Sequence, residues 1–134
     1  MLSKKTIENV LYAALSHGGD FAEIFVEDTF NTNIRMVGGY VENSMSGRDF
    51  GVGIRIFDGF NFVYGYTNDA SEENLIKVAK EIALALKSEK NDIVLNLMKS
   101  DTRNLSPIKI IPNTVDKAKK IELLKRGYNS AMIL

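Results

Sequence analysis

Residues 21–66, FAEIFVEDTFNTNIRMVGGYVENSMSGRDFGVGIRIFDGFNFVYGY, are the stretch that decides the fold. Apolar and polar side chains alternate through much of it, which is typical of half-buried β-strands. Three glycine-containing dipeptides interrupt the alternation: Gly38-Gly39, Gly47-Arg48 and Asp58-Gly59. Each dipeptide suits a two-residue hairpin turn. Together with a loop around Phe30, these turns predict five short antiparallel strands.

Closing each turn on its flanking residues fixes the register of the predicted sheet, because a slip of one residue would send every side chain to the other face. At the last turn, Phe57 closes on Phe60, so that Ile54 lies opposite Val63. The three turns agree on one apolar inner face, predicted to lie beneath the helices that flank the sheet in sequence. Its residues are Ile34, Met36, Val41, Met45, Phe50, Val52, Ile54, Ile56 and Val63.

The opposite face of the last hairpin is rich in aromatic residues. The same register places Tyr64 across from Gly53 and Tyr66 across from Gly51. Rings over glycines stabilise a strand, which is a purely structural explanation of the pattern. A patch of exposed rings is also typical of a contact surface, and the two explanations stay open. The predicted partner-binding residues are Arg55, Phe57, Phe60, Phe62, Tyr64 and Tyr66.

Helical periodicity flanks the predicted strands on both sides. Ser3 is expected to cap a first helix, which ends near His17 and Gly18-Gly19. Asp69 together with Glu72, or Ser71 alone, is expected to cap a second helix. The apolar stripes of these helices are Ile7, Val10, Leu11, Ala14 and Leu15 in the first, and Leu75, Val78, Ala79, Ile82 and Leu86 in the second.

The remainder of the chain has a weaker pattern. Residues 93–98 are either a short strand or an apolar loop held against the core, and Thr114 is expected to cap a third helix that runs to Gly127. The predicted fold class is α+β, an antiparallel five-stranded meander sheet with two helices on one face and a C-terminal helix. The predicted domains are residues 1–90, an irregular linker 91–113, and a terminal helix and tail 114–134.

The composition excludes several classes of protein. The chain has 134 residues, 17 basic and 17 acidic, and therefore no net field that would attract nucleic acid or an anionic membrane. It has no cysteine, which excludes a disulfide scaffold and a thiol nucleophile. No apolar run is long enough to span a bilayer, and the N-terminus lacks the core of a signal peptide. We expect a cytoplasmic protein with neither a nucleic-acid nor a membrane partner.

Catalytic motifs are missing from the sequence. The single histidine, His17, is expected to interact with the end of the first helix, because a metal or catalytic site needs several convergent groups. Gly51-Val52-Gly53 is not followed by a predicted helix, so it does not match a phosphate-binding loop. The acids Glu23 and Glu27 alternate along a strand, as solvated side chains do. We expect no catalytic residue, no metal ligand and no cofactor in this chain.

Several short runs resemble the TldD/PmbA family in their order and spacing. They are residues 20–28 (DFAEIFVED), 41–43 (VEN), 46–48 (SGR), 51–57 (GVGIRIF), 67–69 (TND) and 119–124 (KKIELL). The resemblance covers nearly the whole chain, but only the N-terminal part of the family's architecture. It identifies the chain as similar to the N-terminal domain of these proteins.

The resemblance implies a metallopeptidase family that acts on peptides such as microcin precursors and antitoxins and was first named for modulation of DNA gyrase. The family's zinc motif, His-Glu-x-x-x-His, lies downstream of this domain and is absent from this sequence, so no catalytic residue is carried over and the chain is expected to be inactive alone. The N-terminal domain in the family helps to enclose the peptide cleft and contributes dimer contacts. The implied partners are a peptide or protein, a second copy, or a companion TldD/PmbA chain.

Three functional hypotheses follow. The first is a non-catalytic domain that contacts a peptide or partner protein. The second is a self-associating structural module with no enzymatic role, which would bury its aromatic sheet face or terminal helix against a second copy. The third, gyrase or nucleic-acid modulation, depends only on the family's name, and the zero net charge argues against direct DNA binding.

Overall fold

A computed structural model of the chain describes residues 2–86, 93–100 and 106–133. The predicted α+β class is confirmed. The elements are α1 (Lys4–Ala14), β1 (Phe21–Val37), β2 (Tyr40–Asp58), β3 (Asn61–Thr67), α2 (Glu72–Ala83) and α3 (Lys117–Ala131), with 3₁₀ turns at Leu15–His17 and Pro112–Thr114. The strands form one sheet in the order β1-β2-β3.

The chain divides into two compact units. The first comprises Met1–Asp28 and Phe50–Ser100, and the second comprises Thr29–Asp49 and Asp101–Leu134. β1 and β2 therefore each pass from one unit into the other. The sequence-based domains 1–90, 91–113 and 114–134 stay a prediction.

The described sheet has three strands, so the prediction of five was wrong. β2 runs unbroken through Gly47-Arg48, and β1 runs unbroken through Phe30. Positive φ angles occur at Gly38, Gly39 and Gly59, where the chain turns, but not at Gly47. The Arg48 guanidinium lies 5.5 Å from the centre of the Phe30 ring. The two regions expected to turn or loop instead run beside each other as paired strands.

The turn between β2 and β3 also differs from the prediction. Asp58 pairs with Asn61, so Gly59-Phe60 forms the turn, and only Gly59 has a positive φ, as in a type II′ turn. Val63 therefore pairs with Ile56 rather than with Ile54. Because the register moved by two positions, an even number, every side chain keeps its predicted face.

The core of the first unit lies between the sheet and two helices, as predicted. Val52, Ile54 and Ile56 of β2 are fully buried, together with Val10 of α1 and Leu75 of α2. Burial of each large aliphatic side chain contributes about 1.5–3 kcal/mol. Other members of the core are Ala13, Ala14, Ala79 and Ala83. Small residues at these helix positions let both helices approach the sheet closely.

Polar contacts fix the starts of both helices. The Ser3 hydroxyl accepts a hydrogen bond from the Thr6 backbone N–H at 3.0 Å, so the predicted cap of α1 is confirmed. α2 begins after Ser71, whose backbone N–H donates to the Asp69 carboxylate at 2.9 Å. The Glu72 carboxylate accepts hydrogen bonds from α1, so it ties the two helices together.

The predicted inner face is only partly buried in the second unit. Ile34 and Met36 are half-buried there, but Val41 and Met45 are exposed, so the prediction was wrong for these two. The two helices that cover the sheet, α1 and α2, belong to the first unit. Alternation in a sequence identifies the apolar face of a strand, but it does not say what covers that face.

Helix α3 begins later than predicted and ends later. Asp116 is its cap, with the carboxylate accepting from the Ala118 N–H at 2.8 Å. Thr114 lies in a 3₁₀ turn, and its hydroxyl donates to the Ile111 carbonyl at 2.8 Å, so it is not the cap. The helix continues through Gly127, because a single glycine weakens a helix without ending it. No helix in the described ranges has the length and apolarity needed to cross a membrane.

Residues 93–100 carry no regular secondary structure, which supports the apolar-loop alternative over the strand. Ile93, Leu95 and Leu97 are half-buried, while the residues between them are exposed. Leu97 lines an apolar cavity with Leu11 and Phe21. Every second side chain of residues 93–97 is therefore packed toward the rest of the first unit.

Candidate functional site

The outer face of the first-unit sheet carries a group of exposed rings. Phe62 is 61% exposed, Tyr64 50% and Tyr66 62%, whereas Phe57 is half-buried among them. The Phe57 and Phe62 ring centres lie 6.1 Å apart, in the tilted arrangement that aromatic pairs favour. Phe60 lies in the turn and is fully exposed, so it adjoins this group in sequence without belonging to the sheet face.

Arg55 lies at the centre of the rings. Its guanidinium carbon is 5.6 Å from the ring centre of Phe57, 5.8 Å from that of Phe62 and 5.9 Å from that of Tyr64. At exposed sites such cation–π contacts contribute about 0.5–1 kcal/mol each. The guanidinium Nε also lies 3.3 Å from a carboxylate oxygen of Glu23. Both ion-pair partners are more than a third exposed, so the pair orients Arg55 more than it stabilises the fold.

Two tyrosine rings lie over glycines, as the sequence predicted, although the pairing that brings them there is different. Tyr66 is paired with Gly53, and its ring reaches diagonally over Gly51. Tyr64 is paired with Arg55, and its hydroxyl lies 2.6 Å from where a Cβ on Gly53 would stand. The Tyr66 hydroxyl donates to the Phe50 carbonyl at 3.2 Å. Both rings therefore have a fixed position and one open face.

Sequence reasoning missed the residues that β1 adds to this surface. Phe21 lies 5.8 Å from Phe57 between ring centres, and Phe25 shares its face of β1 by alternation. Both are more than half exposed. The period-two spacing of Phe21, Glu23 and Phe25 was the available signal. The surface formed by Phe21, Phe25, Arg55, Phe57, Phe62, Tyr64 and Tyr66 is called the aromatic face below.

The chemical groups of the aromatic face are aromatic rings and one guanidinium group. It presents several immobilised rings and one cation whose charge is balanced by Glu23. Asp69 and Glu72, two carboxyl groups whose pKa values are lowered, lie outside the aromatic face. Hydrogen bonds from the backbone and side chain of Ser71 lower the pKa of Asp69, and those from Asn9 and Thr6 lower the pKa of Glu72. Both carboxyl groups lie at the start of α2 and have a structural role.

The residues that the structure describes contain no group of side chains that fits a zinc ion. Structural and catalytic zinc sites take three or four convergent side chains, mostly cysteine, histidine and carboxylates. Within the described ranges, no three histidine, cysteine, aspartate or glutamate side chains are grouped closely enough to hold a metal. The one histidine, His17, has its Nδ1 2.9 Å from the Ser16 hydroxyl. No reaction step through a metal is derived for this chain.

Residues 22–86 match the family model described as PmbA/TldA metallopeptidase domain 1. The matched range extends from β1 through β2 and β3 to just beyond α2, and so contains most of the aromatic face. No curated protein matches the chain significantly.

Proposed function

We propose that this chain is a non-catalytic contact domain of a PmbA/TldD-type metallopeptidase, because residues 22–86 match the model of that family's first domain. Its aromatic face is the surface on which an extended polypeptide, either a peptide substrate or a segment of a partner protein, lies. Hydrolysis of the peptide then depends on a metal site that is formed by residues outside this domain.

The observation that carries the proposal is the group of exposed rings around Arg55. Contiguous apolar patches on a protein surface mark sites of interaction. Aromatic and arginine side chains also dominate the binding energy of interfaces. Holding the rings in place also favours binding affinity, since a preorganised surface loses little conformational entropy when a partner binds. Tyr64 and Tyr66 over their glycines and Arg55 on Glu23 provide that order.

The sheet supports an extended partner in a second way. β3 is an outer strand of the described sheet, since it is hydrogen-bonded to β2 alone. Extended peptides bind such edges by adding a strand, with main-chain hydrogen bonds for affinity and alternate side chains for specificity. A strand added there would run beside Phe62, Tyr64 and Tyr66, the exposed side chains of β3.

The experiment uses reduced, alkylated lysozyme, an unfolded and positively charged polypeptide, as the labelled probe. We expect the double variant Phe62→Ser/Tyr64→Ser to weaken its binding about tenfold, which corresponds to the loss of about 1.4 kcal/mol. The matched control is Tyr12→Ser on α1, because Tyr12 is exposed to a similar extent, 46%, and does not belong to the aromatic face. Circular dichroism verifies that each variant is folded.

Two results contradict this proposal. Equal losses for the control and the double variant would show that the aromatic face is not the contact surface. Zinc-dependent cleavage of the probe by the purified chain alone would show that the domain is catalytic after all.

Self-association is the competing function, because the same exposed rings could cover each other in a symmetric dimer. Size-exclusion chromatography with light scattering separates the two. A dimer that Phe62→Asp or Tyr64→Asp converts to a monomer favours self-association. A monomer at high concentration leaves the face free for a different partner.

Gyrase modulation has weaker support. It rests on the family's history, and a formal net charge of zero gives the chain no general attraction to DNA. Tight binding of duplex DNA in a titration at low salt would support the gyrase hypothesis.

A further inference from the structure

The second compact unit contains a cleft of about 500 Å³, within the range of ligand-binding sites. Residues 30–32 of β1, residues 46–48 of β2 and the start of α3 form its walls. Three cationic side chains line it, Arg48, Lys117 and Lys120, and no carboxylate does among the described residues. The aromatic face contributes nothing to it. The cleft is therefore a separate, positively charged site.

Two opposite charges lie at the start of α3: Asp116, whose carboxylate caps the helix, and Lys117, its first residue. The N-terminus of a helix carries a partial positive charge, so acidic residues stabilise its first turn and basic residues destabilise it. The first turn of α3 nevertheless begins with Lys117 and contains no acidic residue. Lys117 and Lys120 are three positions apart and therefore share one side of the helix, the side that lines the cleft. Lys120 is half-buried there.

The remaining walls of the cleft combine polar and apolar side chains. The Arg48 guanidinium carbon lies over the Phe30 ring, 5.5 Å from its centre, which restrains the direction of the guanidinium group. The Asn31 amide donates to the Asp49 carboxylate at 2.7 Å, which holds this polar side chain in place. Thr32, Ser46 and Asn113 add hydroxyl and amide groups that form hydrogen bonds with neutral partners such as peptide groups.

We infer that this cleft binds an acidic segment of a polypeptide, with a carboxylate side chain held among Arg48, Lys117 and Lys120. The choice of a polypeptide rests on the proposed function, whereas the choice of an anion rests on the cleft itself. Neutral donors and acceptors beside the cations suit the main chain of a peptide. A nucleic acid would use exposed rings for base stacking, but Arg48 already covers one face of Phe30.

The test measures binding of fluorescein-labelled hexaglutamate to the full chain by fluorescence anisotropy at low salt. We expect Lys117→Gln/Lys120→Gln to weaken binding about tenfold or more, because charge-assisted hydrogen bonds to the carboxylates are lost. The control is Lys119→Gln/Lys125→Gln, which removes the same charge from the same helix at positions that do not line the cleft. The control is expected to weaken binding less than about twofold. Removing lysines from the first turn favours the helix, so the variants are expected to fold.

Three results would overturn the inference. They are absence of hexaglutamate binding, equal losses for the two lysine pairs, or tighter binding of a single-stranded oligonucleotide than of hexaglutamate at the same salt concentration. Tyr12→Ser on α1 is expected to leave hexaglutamate binding unchanged, because Tyr12 does not line the cleft. The aromatic face is tested with a different probe and different variants, so a failure of either proposal is recognised separately.

Discussion

Replacing Gly51 with alanine tests whether the Tyr66 ring is held on the backbone of β2. A Cβ built on Gly51 stands 2.5 Å from the ring carbon Cζ, whereas ordinary contacts begin at 3.4 Å, so the ring has to move by about an ångström. The movement breaks the hydrogen bond from the Tyr66 hydroxyl to the Phe50 carbonyl, which contributes about 0.5–1.5 kcal/mol.

The other contributions to the change in unfolding free energy come from side-chain packing and from the conformational entropy of the chain. A tyrosine buries about 150–250 Å² when fully covered, and Tyr66 is 62% exposed, so losing part of its covered area costs about 1 kcal/mol. Alanine recovers about 0.5–1 kcal/mol, because glycine loses more conformational freedom than alanine on folding. The net expectation is that Gly51→Ala destabilises the fold by about 1 kcal/mol.

A double-mutant cycle measured by urea denaturation isolates the contact. With the ring removed by Tyr66→Ala, the added methyl group no longer meets the Tyr66 ring, so Gly51→Ala is expected to become stabilising by about 0.5–1 kcal/mol. The sign of the effect therefore reverses between the two backgrounds. The same destabilisation in both backgrounds would refute the reasoning, because the cost would then come from the strand and not from the ring.

Three further predictions concern the fold. Ile54→Ala is expected to destabilise the first unit by about 2–5 kcal/mol in urea denaturation, because the side chain is fully buried; a loss below about 1 kcal/mol would contradict the core described above. Gly47→Ala is expected to change the free energy of unfolding by less than about 0.5 kcal/mol, whereas Gly59→Ala, at φ +57°, is expected to lower it by about 1–2 kcal/mol. Equal losses of stability in the same denaturation assay would indicate that the chain does turn at Gly47-Arg48. The pKa of Glu72 is lowered from 4.5, so the stabilisation from its hydrogen bonds is complete above that value and is lost as the pH falls through the folded-state pKa. Thermal melting is therefore expected to show Glu72→Gln less stable than the parent at pH 7, with a difference that shrinks as the pH falls below 4.5. A difference that is constant with pH would exclude the ionised carboxylate as its source.

The sequence predicted the layered fold of the first unit because two independent signals agreed there. Alternation placed Val52, Ile54 and Ile56 on one face, and helical periodicity supplied the residues that cover them. The five-strand prediction failed because glycine next to a polar residue is compatible with a turn but does not require one. At Gly47 no positive φ is needed, and the flanking polar residues pair across the strands.

The register between β2 and β3 was the second feature that the sequence did not determine. Gly59 suits the second central position of a type I′ turn with Asp58 before it, or the first central position of a type II′ turn with Phe60 after it. The chain uses the second arrangement, which moves β3 by two residues and leaves the faces unchanged. The local signals contain nothing that distinguishes the two turns.

The aromatic face was predicted where it depends on one hairpin and missed where it depends on β1. Arg55, Phe57, Phe62, Tyr64 and Tyr66 follow from alternation in β2 and β3, and they share a face with either of the two-residue turns. Phe21 and Phe25 join them only if β1 pairs with β2 without interruption, and the expected loop around Phe30 removed that link. The acidic residues beside them also made this strand resemble a solvated edge.

The most direct measurement of the contact surface is a nuclear magnetic resonance titration of the labelled chain with reduced, alkylated lysozyme. Binding at the aromatic face predicts that the largest shift changes fall at residues 51–57 and 62–66 and at Phe21 and Phe25. Residues of α1, including Tyr12, are expected to move little. Shift changes concentrated on the helices, or no changes at saturating probe, would contradict the assignment of this face as the site of contact.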